Sequence, residues 1–329
     1  MKYCILGCGG SFGIHTAKYL LENSDPEKVI GIGRNPLRSP VFSLNIGDYN
    51  KFEYKTLHIY YEQDFLLELL DKEKPDIIIN YSAQGEGAVS WKNSWRFFET
   101  NSTALVKLVE QLSKRDWIKQ FIQIGTSEMY GSVKKSSLET DPIIPTSPYA
   151  ASKVAFDMYL ISAYKFLKFP MNILRPSNAY CPGQLLHRVI PRTIYSILTD
   201  KKLPLQGGGL AKKSYIHATD LARAIDILSK KNNIIGEVFN IGPKEPTSIK
   251  DVVKLTCKSM GVKFEDHVEI TEDRLGQDSC YWLNSEKAEK VLGWKQRIDW
   301  EQGLKTMRDW SEKYREEIVK QSTDYIMRA

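Results

Sequence analysis

Met1-Lys2-Tyr3-Cys4-Ile5-Leu6-Gly7-Cys8-Gly9-Gly10-Ser11-Phe12-Gly13 opens the chain as a short apolar run that enters a glycine-rich turn. An amphipathic stretch, Ile14 to Leu21, follows directly. Strand, glycine turn and helix in this order predict a loop whose backbone amides approach a pyrophosphate at the positive end of the helix. Glycine serves any tight strand-to-helix turn. The place of Gly7, Gly10 and Gly13 inside a βαβ unit makes a dinucleotide site the expectation, with Ser11 and Phe12 at the helix start.

Outward from this turn, apolar runs recur at Lys28 to Ile32, Leu57 to Tyr60, Ile77 to Tyr81, Phe121 to Ile124, Met171 to Arg175 and Val238 to Ile241. Helical patterns such as Phe65 to Leu70 and Ala104 to Leu112 lie between them. This alternation predicts an α/β fold, a doubly wound parallel sheet of Rossmann type. Proline and glycine break the rhythm later in the chain. A nucleotide-binding body of residues 1–179 and 215–245 is therefore expected, with a smaller, interleaved C-terminal lobe of residues 180–214 and 246–329. In that lobe Ser248 or Thr247 can cap a helix over Ile249 to Ser259, and Asn284 or Ser285 can cap Glu286 to Leu292, which stops at Gly293.

Composition sets outer bounds. The 329 residues carry 46 Lys and Arg against 40 Asp and Glu, with 42% hydrophobic residues. The surplus of +6 is spread along the chain, so it argues weakly for anionic ligands and hardly at all for nucleic acid. Apolar runs such as Ile77-Ile78-Ile79 fall far short of the roughly 20 residues that span a bilayer. The opening residues show no secretory h-region, and a cytoplasmic protein is expected. Cys4, Cys8, Cys181, Cys257 and Cys280 have no zinc-ligand spacing; they are expected to be reduced packing thiols, and no metal is expected.

The second strand ends Ile32-Gly33-Arg34-Asn35. A carboxylate there would accept from the adenosine ribose, as in NAD sites. Arg34 instead supplies a cation where a 2′-phosphate would sit, with Arg38 close behind, so NADP is favoured and NAD is the alternative.

In Ser147-Pro148-Tyr149-Ala150-Ala151-Ser152-Lys153 the proline suits a first helical turn and Ser147 or Thr146 its cap. Tyr149 and Lys153 then share one helix face. A nearby ammonium favours phenolate, which would make the tyrosine a base for an alcohol or sugar hydroxyl. Upstream, the strand Phe121 to Ile124 delivers Gly125-Thr126-Ser127-Glu128-Met129-Tyr130-Gly131 at its carboxyl end. That end of a parallel sheet opens on the ligand crevice, so Thr126, Ser127 and Glu128 are expected beside the cofactor.

With these motifs in order, and with Arg175-Pro176-Ser177-Asn178, Ser214 to Asp220, Phe239-Asn240-Ile241-Gly242 and Leu292-Gly293-Trp294, the chain resembles the extended short-chain dehydrogenase/reductase family and, within it, the nucleotide-sugar 4,6-dehydratases. Thr-Ser-Glu is similar to the GDP-mannose branch. Glu272 to Asp278 is similar to the dTDP-glucose branch. The resemblance implies that Tyr149, helped by Lys153 and Thr126, takes the C4 hydroxyl proton while hydride passes to the nicotinamide. Glu128 then removes the C5 proton, water leaves C6, and the hydride returns to C6. The resemblance also implies a homodimer. A diphosphate in a cleft wants cations and amide donors, so Asn178, Arg274 and Lys212 or Lys213 are expected to bind it, with Arg188 and Arg192 as further substrate-binding candidates of lower rank.

Departures bear on the substrate. Ser127 stands where the dTDP-glucose branch has an acidic aspartate, so Glu128 would do both jobs. Ala83-Gln84-Gly85-Glu86-Gly87-Ala88-Val89-Ser90 departs from the usual Ala-x-x-His-Val-x-x-Ser in a loop expected to flank sugar and diphosphate, where Ser90 is a further substrate candidate. His217, beside Asp220, is expected to be structural, and Trp91 and Trp95 are expected to pack in the core or against helices. An epimerase or decarboxylase of the same fold stays open; a decarboxylase would need an arginine clamp for a C6 carboxylate. A catalytically silent cofactor-binding sensor or scaffold is the remaining alternative.

Overall fold

The computed structural model describes residues 1–272 and 278–325. Its centre is a seven-stranded sheet built on β1 (Lys2–Leu6), β2 (Lys28–Gly33), β3 (Phe52–Thr56), β4 (Ile77–Asn80), β5 (Gln120–Ile124) and β6 (Met171–Pro176), with the strand Val238–Ile241 at one edge. From that edge the order is Val238–Ile241, β6, β5, β4, β1, β2, β3. Every pairing is parallel. The order reverses between β1 and β4, which share the register Leu6↔Asn80. Open parallel sheets bind ligands above the carboxyl ends of strands at such a reversal.

Parallel strands buried on both faces read as continuous apolar runs, and β4 is Ile77-Ile78-Ile79 for that reason. Side chains alternate between two cores. Tyr3, Ile5 and Ile79 face helices Ser11–Asn23 and Ala218–Ser229, together with Trp294. Cys4, Leu6 and Ile78 face helices Gln63–Glu73, Ala104–Leu112 and Pro148–Leu167. These are the two helical layers of a doubly wound sheet.

One expected strand is displaced: β3 runs over Phe52–Thr56, and Leu57 to Tyr60 follow it as a connection. An edge strand needs only one apolar face. Phe52 and Tyr54 pack against the core, while Glu53 is held by Lys28 at 2.7 Å and Lys55 at 2.6 Å. Its charges therefore hide it from a search for apolar runs.

A third core gathers Tyr180, Ile190, Ile194, Tyr215, Val252, Leu304, Met307 and Trp310. Val41 joins it from the first half of the chain, while Ala288 and Leu292 return to the core of the main sheet. Helix Ile249–Ser259 is capped by Ser248, whose hydroxyl accepts from the Asp251 amide. Asn284 accepts from the Glu286 amide at 2.9 Å, and Gly293 ends that helical stretch in the left-handed region. Among the described residues no helix is long and apolar enough to cross a membrane. The five cysteines are free.

Candidate active site

A cavity of about 1000 Å³ opens above the carboxyl ends of the strands. At its floor, Gly7 has φ +74°, and a Cβ there would stand 2.6 Å from the Ser82 amide nitrogen, so only glycine lets the ends of β1 and β4 approach. Helix Ser11–Asn23 begins at Gly10, and no side chain caps its first amides. A bare helix start facing a cavity fits an anionic diphosphate. Gly10, Ser11 and Phe12 line the cavity with Gly7. Gly13 is buried beneath them, where a Cβ would meet Cys8 Cα at 2.7 Å, so it permits close helix-to-strand packing.

Arg34, Asn35 and Arg38 line the far end, together with Tyr54 and His58. Tyr54 donates to the Asn35 carbonyl at 2.7 Å, and Arg34 reaches the Gln84 side-chain oxygen at 3.4 Å. Gln84 is held in turn by Asn101, whose Oδ1 accepts from the Gln84 amide at 2.6 Å and whose Nδ2 donates to Ser152 Oγ at 2.9 Å. Asn101 sits in a π-helical turn, Glu99–Thr103, a distortion frequent at functional sites.

The chemical centre forms where β5 ends beside helix Pro148–Leu167. Ser147 caps that helix, accepting from the Ala150 amide at 3.1 Å, with Pro148 in the first turn. Tyr149 and Lys153 lie on its cavity face, and Thr126, Ser127 and Glu128 come to the same space from β5. Thr126 accepts from the Glu128 amide at 3.2 Å and hydrogen-bonds the Tyr149 phenol. Lys153, fully enclosed, donates to the Ile124 carbonyl at 2.7 Å.

Burial pulls the Lys153 ammonium down to about 8, with Asp157 working against it. Burial raises the Glu128 carboxyl above the usual carboxylate range; Lys213 and Arg188 oppose the rise, and Glu86 and Asp278 add to it. The Tyr149 phenol is pushed up by burial and by Glu128, against its hydrogen bond with Thr126. The lowering expected from Lys153 is not among the leading causes: the ammonium is engaged by the Ile124 carbonyl, and the charge that acts most on the phenol is the Glu128 carboxylate.

Toward the third core, the cavity takes in Asn178, Arg188, Arg192 and Lys213. Arg188 is paired with Glu86 at 2.7 Å, and His187 Nε2 lies 3.1 Å from the same oxygen. Lys212 is exposed on its strand and is not a cavity residue. Ser90 is fully buried, donates to the Gly87 carbonyl at 2.6 Å and closes a turn behind the cavity wall rather than lining the cavity. Arg274 lies outside the described residues.

His217 accepts from the Thr219 amide through Nδ1 and meets Thr306 through Nε2, a structural role as expected. Trp91 and Trp95 are 69% and 59% exposed, contrary to the packing expected of them; Trp91 stands at the cavity mouth and Trp95 lies under the Arg96 guanidinium. The sequence reading passed over Tyr54, His187 and Tyr325 as cavity residues. Tyr325 receives Gln84 Nε2 at 2.8 Å and donates to the Gly85 carbonyl at 3.0 Å, a closure across 240 residues that no local pattern announces.

A model of the GDP-mannose 4,6 dehydratase family matches residues 4–307. The chain belongs to that family. Members similar to it include human dTDP-D-glucose 4,6-dehydratase, 32% identical over 322 residues that cover 96% of this chain and 90% of the human protein. A trifunctional UDP-glucose 4,6-dehydratase, 3,5-epimerase and reductase of Arabidopsis thaliana is 30% identical over 311 residues, 93% of this chain; the chain spans about half of it, 46%. Among solved structures, dTDP-glucose 4,6-dehydratase of Bacillus anthracis in complex with NAD superposes with a TM-score of 0.84 at 29% identity, covering 96% of this chain and 98% of that one.

Proposed function

We propose that the protein is a nucleotide-sugar 4,6-dehydratase that converts its substrate to a 4-keto-6-deoxy sugar nucleotide. The observation that carries this reading is the presence of Glu128 in one cavity with Thr126, Tyr149 and Lys153. C4 oxidation and epimerisation need only a base for the C4 hydroxyl. Water elimination also needs a second base for the C5 proton.

The glycine cradle and the bare helix start fit a nicotinamide dinucleotide, held by Gly7, Gly10, Ser11, Phe12 and Gly13 at the diphosphate and by Tyr149 and Lys153 at the ribose. Arg34 and Asn35 would take the adenosine end; among the described residues lining that end none is a carboxylate, which supports NADP over NAD. When bound, the nicotinamide supplies an acceptor for the C4 hydride and gives it back to C6.

The chain's own residues move the protons. Tyr149, aligned by Thr126, takes the C4 hydroxyl proton as the phenolate that Lys153 stabilises, and becomes the neutral phenol. The ketone so formed acidifies the C5 hydrogen. Glu128 removes that proton and passes one to the C6 oxygen, which leaves as water. C5 is reprotonated from solvent once C6 has its hydride. Ser127, buried beside Glu128, cannot act as an acid in place of the missing aspartate, so Glu128 performs both transfers.

Asn178, Lys213 and Arg274 are assigned to the nucleotide diphosphate and Arg188 to the sugar beside it, in a lobe formed by residues 180–214 and 246–329. The proposal includes a cytoplasmic homodimer acting in deoxysugar and cell-surface polysaccharide biosynthesis; the exposed Trp95 and Phe98 on helix Ser94–Phe98 support the dimer alone. Incubation of the NADP-loaded protein with GDP-, dTDP-, UDP- and CDP-hexoses, followed by mass spectrometry, tests the reading. Loss of one water from one of them is expected. An epimer of unchanged mass, or loss of carbon dioxide from a uronate, would replace it with the alternatives.

A further inference from the structure

Glu86 occupies a backbone conformation that side chains rarely adopt, with φ +78° and ψ +93°. Strain of this kind persists only where the surroundings hold it, and it gathers at functional sites. The hold is visible: Glu86 Oε1 pairs with Arg188 Nη2 at 2.7 Å and with His187 Nε2 at 3.1 Å, and the Tyr325 hydroxyl pins the preceding Gly85 carbonyl. The next residue, Gly87, lies so near the reaction centre that a Cβ on it would stand 3.1 Å from Glu128 Oε2. Glu86 and Arg188 are therefore a built pair at the wall where the sugar's C5 and C6 would lie, and the charges of both reach Tyr149 and Glu128.

A uronate placed here would bring a C6 carboxylate beside Glu128. Its natural partner is Arg188, but Nη2 of that guanidinium is already paired with Glu86 Oε1. The incoming anion would meet three carboxylates, Glu86, Glu128 and Asp278, against two cations, Lys213 and the already paired Arg188. A C6 hydroxymethyl group carries no charge and meets no such penalty.

Resting on the dehydratase reading, we infer that Glu86 is a specificity-determining residue which, by occupying Arg188, makes the site reject sugar nucleotides with a carboxylate at C6 and admit those with a neutral C6 hydroxyl.

Calorimetric titration of the NADP-loaded protein with two matched pairs tests this: UDP-glucose against UDP-glucuronic acid, and GDP-mannose against GDP-mannuronic acid. Wild-type protein should favour the hexose of the pair it accepts by on the order of tenfold or more. Glu86→Gln should narrow that ratio by about tenfold, because Arg188 becomes available for a bidentate carboxylate. The double variant Glu86→Gln with Arg188→Gln should restore the gap. Arg188→Gln alone strips Glu86 of its partner and should widen it, which keeps the inference testable if Glu86→Gln does not fold. A merely structural Glu86 would weaken both ligands alike. Hexose binding with a ratio unchanged in these variants, or uronate bound as tightly as hexose by the wild type, overturns this inference and leaves the dehydratase reading standing. Failure of every sugar nucleotide to bind overturns both.

Discussion

Lys153 Nζ lies 2.7 Å from the carbonyl oxygen of Ile124, the last residue of β5. The ammonium is thereby fixed under the loop that delivers Thr126 and Glu128, one helical turn from Tyr149. With a pKa drawn down to about 8, its charge is lost as pH rises through that value. Glu128 is raised, so its base form is lost on acidification sooner than for an ordinary glutamate. A bell-shaped kcat profile is expected, with its acid limb above the usual carboxylate range and its alkaline limb near pH 8. Lys153→Met should remove the alkaline limb and lower kcat by about 10²-fold or more; an unchanged limb would assign it to another group.

Gly13→Ala introduces a Cβ 2.7 Å from Cys8 Cα, a backbone neighbour that cannot swing aside. The helix must shift from the glycine turn. Cofactor affinity measured by fluorescence titration should fall at least tenfold, by roughly 1.4 kcal/mol, while Gly47→Ala, where a Cβ meets nothing within 4 Å, leaves it unchanged.

Asp157 and Arg175 form an ion pair at 3.5 Å with both side chains almost wholly buried, and Arg175 also donates to Tyr130 at 2.8 Å. Asp157→Asn leaves the guanidinium short of its counter-charge and should cost about 3–5 kcal/mol in urea unfolding. Replacing both residues with apolar ones should cost less than the sum of the single changes.

Arg34→Ala should weaken NADP more than NAD, because only the 2′-phosphate is expected to meet the guanidinium. A ratio of the two dissociation constants that shifts by about tenfold toward NAD supports the NADP assignment; equal losses for both cofactors count against it.

What could be read from residues alone follows the physics of each element. β1 and β4 were legible because strands buried on both faces are largely apolar, and β5 through Phe121, Ile122 and Ile124 although Gln120 and Gln123 are buried with them. β3 was not, since Glu53 and Lys55 face solvent and their ion pairs replace an apolar pattern. Ser147, Ser248 and Gly293 announced their helix ends because capping is local chemistry. Thr126, Glu128, Tyr149 and Lys153 were legible because each sits at a predictable point on a strand end or helix face. Glu86 was seen only as a departure: its pairing with Arg188 joins loops about a hundred residues apart. Tyr325 gave no signal. Trp91 and Trp95 misled because large aromatics usually pack, and here they line a mouth and a surface.

The role of Glu128 is tested most directly by running Glu128→Gln with NADP and the accepted hexose nucleotide in heavy water, following absorbance at the reduced-nicotinamide band and product mass together. The expected result is reduced cofactor accumulating toward one equivalent, with no water lost and no deuterium at C5. Full turnover with deuterium at C5 would contradict it, since another group would then be taking the C5 proton.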